Sequence, residues 1–439
     1  MKARLVPLHF NSGQDSEFHK QLQAVTALLG DQAEILPPVR LGDGLPPADA
    51  VLFPQILGEA YRRLDDFRAI DLPILIITTP AGTLSMWDWE VVDFLRAGGV
   101  RTIAPYDPRF TRAVCRALQV RRELRETRFL VFQDDPGEGF QAEIFKRFYW
   151  WEDQCGRLMN ERFGVKIVKR SFRELGQQAK AIDDAQAEAL WNQWAVPANG
   201  VTAPMARSAA KLYLAVRRHL DEDPSIRGVG INCLNESHFC DTTPCLAWSR
   251  LYEERGVLWA CEADTLSLLT KFILHRTTLR PTMMTNLYPF LLGDAALKHE
   301  RIEAFPPVDG PAENHILVAH CGYAGLIPRA MADQWTLRPK VLAIVDANAT
   351  AIDARLAEGP VTLGKLHAGL DRMTVAQGEL VKHVQFPGSD CLNGGVIRIR
   401  DGHALMNALA SHHYLLMTGH ALREIQWVAK VFGIEVQEI

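Results

Sequence analysis

The sequence predicts an α/β protein: two doubly wound α/β domains followed by a β-rich, barrel-like C-terminal domain. Three observations carry this. Short apolar runs bounded by breakers alternate with helical patterns at the start of the chain, which fits strands buried on both faces of a parallel sheet. The alternation restarts near residue 127. After about residue 280 helices become scarce, and Pro, Gly and short apolar runs dominate. A chain of 439 residues is also too long for one ordinary core. The expected domains are 1–126, 127–256 and 257–439.

In the first domain Leu5 to Phe10 is a strand and Glu17 to Leu29 carries apolar residues at helical spacing. Asp49 to Pro54 and Pro73 to Thr79 are continuous apolar runs and read as buried strands. Trp87 to Arg96 is helical and closed by Ala97-Gly98-Gly99, and Val100 to Ile103 starts another strand. A polar helix, Arg109 to Arg125, leads to the second domain. There Arg128 to Phe132 is a strand, Phe140 to Phe163 an aromatic-rich helix and Val165 to Val168 a strand. Val201 to Leu220 is a helix, and Arg227 to Cys233 returns to the sheet. In the third domain His315 to His320, Lys340 to Val345, Val381 to Phe386, Val396 to Arg400 and Tyr414 to Thr418 are short strand candidates. A last helix, His420 to Phe432, ends at Gly433.

Composition narrows the function. The formal net charge is −4, so there is no basic surplus for a nucleic-acid partner. No apolar run approaches a membrane span, and the N-terminus reads as a strand and not as a signal peptide. The eight cysteines form no CxxC pair and read as free thiols in a reducing cytoplasm.

The candidate chemistry lies between Gly228 and Lys271. Glu236 follows one apolar run and Asp264 follows another, Val257 to Cys261. Sites in α/β sheets gather at the carboxyl ends of strands, so these acids are candidates for metal binding and proton transfer. The plainer readings are a solvated loop acid for Glu236 and a helix N-cap for Asp264. Glu262 lies two positions before Asp264; an extended backbone would point both the same way, so either could serve. His320 ends another apolar run, and His412-His413 precede a strand that would turn at most one of the pair into a shared site. Acids plus imidazoles with no thiolate favour Mn²⁺ or Mg²⁺ over Zn²⁺. Cys233, Cys240, Cys245 and Cys261 offer a zinc alternative, but their spacings match no structural zinc module. No GxGxxG follows the first strand, and no GxSxG elbow occurs.

Several motifs occur together in one order. They are Leu5-Val6-Pro7-Leu8, Arg162-Phe163-Gly164, the polar turn Asn232 to Glu236, Thr243-Pro244-Cys245-Leu246-Ala247 and Cys261-Glu262-Ala263-Asp264. Further on come Ala319-His320-Cys321-Gly322, Gly359-Pro360-Val361-Thr362-Leu363, and Ser411-His412-His413 with Gly419. Together they resemble the L-fucose isomerase and L-arabinose isomerase superfamily, in particular its shorter fucose-isomerase-like members. The resemblance implies that Glu236 and Asp264 are metal ligands and the acid/base pair. It implies that His413 or His412 is the metal-binding histidine, and that His320 aligns with a ligand of the arabinose branch. One departure is Pro281 to Leu287, where Asn286 stands at a position expected to hold an aspartate.

The implied activity is a metal-dependent aldose–ketose isomerase acting on a sugar or sugar-like polyol through an enediolate, with Mn²⁺ or another divalent cation. The alternatives are a metal-dependent hydrolase or lyase, or an inactive carbohydrate-binding protein, on the same scaffold. The resemblance also implies a homo-oligomer, a trimer or hexamer, with first-domain residues near a neighbour's site. The loop Pro80 to Trp87 and the aromatic run Phe148 to Trp151 are compatible with that assembly.

Overall fold

The structure is a computed structural model, and it describes residues 2–10, 14–54, 58–77, 88–134, 153–233, 239–293, 297, 302–320, 327–340, 346–385 and 393–439. Outside them lie residues 234–238 with Glu236, Cys321 to Tyr323, Cys391, the loop Pro80 to Trp87 and the aromatic run Phe148 to Trp151. Most of the expected strand Lys340 to Val345 and the first half of the expected helix Phe140 to Phe163 are outside as well.

The chain divides into two compact units. The first comprises Met1–Glu123, Arg276–Thr278 and Arg423–Ile434. Its strands are β1 (Ala3–His9), β2 (Ala33–Ile35), β3 (Val39–Arg40), β4 (Ala50–Phe53), β5 (Ile74–Ile76) and β6 (Thr102–Ile103). They form a parallel sheet in the order β2-β1-β4-β5-β6, with β3 also on β1. Its helices are α1 (Ser16–Leu29), α2 (Leu64–Arg68), α3 (Asp88–Ala97) and α4 (Pro108–Arg125). The apolar runs became strands because both of their faces are covered: Ala50 to Phe53 and Ile74 to Ile76 are buried throughout. Phe53, Phe67, Val92 and Leu95 lie in the core packed against them.

The second unit comprises Leu124–His275, Leu279–Leu422 and Glu435–Ile439. It opens with β7 (Arg128–Phe132), β8 (Lys166–Arg170), β9 (Ile226–Ile231) and β10 (Leu258–Ala260), a parallel sheet in the order β10-β9-β7-β8. Between these strands run α5 (Asp153–Phe163), α6 (Phe172–Lys180), α7 (Asp184–Trp194), α8 (Ala203–Glu222) and α9 (Cys245–Arg255). Gly256 ends α9 at φ +63°, a left-handed position that suits glycine. After β10 comes α10 (Thr265–Thr278).

The remainder is β-rich, as the sequence texture implied. The strands are β11 (Thr282–Pro289), β12 (His315–Ala319), β13 (Ala332–Pro339), β14 (Thr350–Leu356), β15 (Gly359–Leu366), β16 (Arg372–Gln385), β17 (Asn393–Ile399), β18 (His413–Thr418) and β19 (Glu435–Glu438). Six of them pair antiparallel in the order β15-β18-β11-β12-β17-β16, and β15 also pairs with β16. The result is a closed six-stranded antiparallel barrel in which each of the six strands pairs on both sides, and β16 also pairs with β19. The hairpin β13–β14 stands apart from it. Two helices complete the chain: α11 (Gly402–Ala408) and α12 (Leu422–Phe432), the latter followed by Gly433 at φ +66°. No helix among the described residues is long and apolar enough to cross a membrane.

Candidate metal centre

The site is built from the end of a parallel strand and the ends of three barrel strands, all in the second unit. Strand β10 is buried and stops at Ala260. The next residues do not continue extended. Cys261 to Ala263 form a tight turn in which Glu262 and Ala263 both adopt left-handed conformations, φ +55° and +56°. Such conformations cost about 1–3 kcal/mol each for residues with a side chain. The turn replaces the simple alternation expected for Glu262 and Asp264, and the two acids make different contacts.

Glu262 is 4 % exposed, while His320 and His413 are fully buried. Glu262 Oε1 lies 3.8 Å from His320 Nε2 and 3.8 Å from His413 Nε2. That is too long for a hydrogen bond. It is short enough for one ion about 2.0–2.2 Å from each ligand atom to sit between them. The three ligand atoms all lie within 4.8 Å of one another, and among the described residues this is the one group of three His, Cys, Asp or Glu side chains that does so. The barrel pairing explains the convergence. His413 opens β18 and pairs with Asn286 of β11, and Asn286 pairs on its other side with Ala319, the residue before His320. The two imidazole centroids are 5.3 Å apart.

The electrostatics suit a cation. Burial, reinforced by His413, Lys340 and His412, holds the pKa of His320 far below its ordinary value, so its imidazole is neutral, as a metal ligand must be. Neither of its ring nitrogens has a hydrogen-bond partner among the described residues. A buried polar group in that state calls for a partner, and a bound ion or an ordered water would supply one. Asn286 is 8 % exposed; its Nδ2 donates to Tyr288 Oη at 2.9 Å, while its Oδ1 has no partner among the described residues.

Asp264 is placed behind His413. It is 1 % exposed and is the N-cap of α10, its Oδ1 accepting from Ser267 N at 2.7 Å. Its Oδ2 accepts from His413 Nδ1 at 2.9 Å, from Lys365 Nζ at 3.2 Å and from Ser267 Oγ at 2.6 Å. Burial alone would raise its pKa. The Lys365 charge and the bonds from His413 and Ser267 outweigh that and hold the carboxyl well below the usual carboxylate range. His412 is half-buried, with its ring centroid 4.2 Å from that of His413. Glu236 lies outside the described residues.

The structure thus brings together His320, His413, Glu262 and Asp264 of the sequence candidates and adds Lys365 and Ser267. A lysine inside the apolar strand Val361 to Leu366 is the signal that could have flagged Lys365. The cysteines contribute no group of metal ligands among the described residues, and six of them, Cys115, Cys155, Cys233, Cys240, Cys245 and Cys261, are free thiols. Burial pushes the thiols of Cys233 and Cys240 up to about 12. The chain matches no protein-family model, and no curated protein matches it.

Proposed function

We propose that this chain is a metal-dependent aldose–ketose isomerase acting on a sugar or sugar-like polyol, with its divalent cation held by Glu262, His320 and His413. The observation that carries the metal site is the buried group of one carboxylate and two imidazoles, with His320 neutral and without a hydrogen bond to any described residue. The isomerase chemistry is supported by the ordered motifs, which resemble the fucose and arabinose isomerase superfamily. Mn²⁺ is the proposed ion, because the donors are nitrogen and oxygen with no thiolate.

A divalent cation at this position supplies Lewis-acid polarisation of a carbonyl and its neighbouring hydroxyl. The residues of the chain do the rest. Glu236 takes the general-base role, moving the proton between the two carbons. Asn286 offers an unsatisfied amide oxygen on the strand between the two histidine-bearing strands, suited to accept a bond from a substrate hydroxyl. Burial of the imidazoles keeps bulk water from competing for the ligand positions.

A second reading is a metal-dependent hydrolase, because two histidines and a glutamate are also a donor set of catalytic zinc enzymes. One experiment separates the two. Metal content is measured on the purified protein, and pentoses and hexoses are then screened by NMR in deuterated water with and without EDTA. Metal-dependent deuterium at C1 or C2 is expected. Bound metal with no exchange on any sugar would favour the hydrolase, and absence of divalent-metal binding would sink both readings. On the substrate so found, Glu236→Gln should lower turnover by about 10²–10⁴-fold, the range for loss of a general base. Near-normal turnover in that variant would remove Glu236 from the mechanism.

A further inference from the structure

We propose that Gln133 and Asn232 form a subsite for a neutral, hydroxyl-bearing ligand beside the metal centre, where they hold the hydroxyl chain of the substrate away from its reacting carbons. The assignment to a substrate rests on the isomerase reading of that centre. The placing of the two amides does not.

The two amides are neighbours by register. Phe132 of β7 pairs with Ile231 of β9. The ladder runs one step further, with Asn232 N donating to Phe132 O at 3.1 Å and Gln133 N to Arg170 O at 3.0 Å. Gln133 and Asn232 therefore stand side by side at the carboxyl edge of the sheet β10-β9-β7-β8, the edge where ligands of parallel sheets gather. Alternation along the strands puts them on the face of Val131 and Gly230. The turn that holds Glu262 lies on that same face. Val131 packs with Ala263, and a Cβ on Gly230 would stand 3.5 Å from Ala263 Cα. Next along the face, beyond the turn, come the two amides.

Asn232 is fully buried and Gln133 is 7 % exposed. Asn232 Nδ2, Asn232 Oδ1 and Gln133 Oε1 have no hydrogen-bond partner among the described residues. One donor group and two acceptors are left to be satisfied, and none of them carries a charge. A hydroxyl donates and accepts through one atom, so a run of hydroxyls matches the set. An anionic group only accepts, and it would meet two amide oxygens with no proton to share. The chemistry favours a neutral polyol over a sugar phosphate or a sugar acid. An unpaired buried amide weakens the ligand-free fold, and a ligand that pairs it recovers that loss on binding.

Alditols test the subsite, because they carry the hydroxyls and cannot isomerise. Ribitol, arabinitol, mannitol and galactitol are titrated calorimetrically into the full chain supplied with Mn²⁺. Binding of at least one is expected. Asn232→Leu, an apolar near-isostere, should weaken it about 10-fold or more, the loss of one or two hydrogen bonds. Gln133→Met serves as the second variant should Asn232→Leu not fold. Urea denaturation of the ligand-free variants controls for a structural role: removing unpaired amides should leave the midpoint unchanged or raise it. A lowered midpoint with unchanged alditol affinity would make the amides structural and overturn the subsite. No alditol binding by the wild-type protein would overturn it as well, and so would binding of ribose 5-phosphate in preference to every alditol. Deuterium exchange on the wild-type protein decides the isomerase reading separately. Exchange on a sugar with alditol binding unaltered by the variants would sink the subsite alone. Alditol binding that depends on Asn232, without exchange on any sugar, would sink the isomerase reading alone.

Discussion

Among the described residues four aspartates open helices by the same bond, and one of them, Asp264, also holds further side chains. Asp15, Asp183 and Asp401 are exposed and accept from the backbone N–H three residues on: Phe18, Gln186 and Ala404. Asp264 makes the same bond to Ser267 N, yet it is buried and also holds His413 and Lys365. A capping role and a site role are therefore not rival descriptions of a residue. The cap fixes one carboxylate oxygen at a helix N-terminus and leaves the other to be aimed. Burial by the barrel strands turns that second oxygen into a functional group.

The comparison breaks most visibly at Asp264→Ala. The cap bond is lost, and the Lys365 ammonium is left in a dry interior without its carboxylate. Removing one partner of a buried pair typically costs about 3–5 kcal/mol, well above the roughly 1 kcal/mol of a cap alone. Urea denaturation of metal-stripped protein would show this as a lower midpoint. A loss near 1 kcal/mol would reduce Asp264 to an ordinary cap.

What was legible beforehand follows the range of the interactions. The parallel strands could be read because burial on two faces needs only a local apolar run, and Arg128 to Phe132 has the bounds expected of it. The β-rich, barrel-like character after residue 280 was also visible, but the pair that closes the barrel, Gly359–Leu366 with Arg372–Gln385, was not. Of the latter strand only Val381 to Phe386 stood out, since Arg372, Gln377 and Glu379 break its apolar pattern. The helices Phe172–Lys180 and Asp184–Trp194 had no expected counterpart; their buried stripes are short, Phe172, Leu175 and Ala179 in the first and Ala187 and Trp194 in the second. At the site, Asp264, His320 and His413 stood out as strand-end polar residues. The left-handed turn at Glu262 had no local sign such as glycine, and Lys365 meets Asp264 across 101 residues of chain.

A second buried lysine sharpens the contrast. Lys271 is 1 % exposed, with Nζ 3.0 Å from the Trp259 ring centroid and 3.4 Å from Trp259 O; no carboxylate pairs with it among the described residues. Burial drives its pKa well below the ordinary lysine value. Lys271→Met leaves no opposite charge stranded, so at pH 7 it should be neutral or stabilising, opposite in sign to the loss at Asp264. The pH dependence has a definite sign. With the folded pKa lowered, the unfolded chain binds the extra proton, and wild-type stability rises with pH up to the unfolded pKa near 10.5, by at most about 1.4 kcal/mol per pH unit. The Met variant lacks that contribution, so its advantage should shrink as urea curves are repeated from pH 7 to pH 10. An advantage that grows with pH would contradict a lowered pKa for Lys271.

The smallest effect belongs to the exposed cap, and it isolates the cap bond itself. Asp183 sits at the start of Asp184–Trp194 and bonds Gln186 N at 3.1 Å. Asp183→Ala should cost about 1 kcal/mol, the ordinary value for a lost N-cap. Asp183→Asn should cost only a few tenths, because an amide oxygen caps nearly as well as a carboxylate. The same Asp→Asn exchange at Asp264 keeps the cap oxygen but places an NH₂ donor where His413 and Lys365 both need an acceptor. Measured side by side, the two Asn variants separate the cap bond from the contacts of the second carboxylate oxygen. A near-silent Asp183→Asn beside an Asp264→Asn that loses Co²⁺ affinity would assign the difference to the second carboxylate oxygen. Equal, near-silent behaviour of the two would mean that Asp264 only starts a helix.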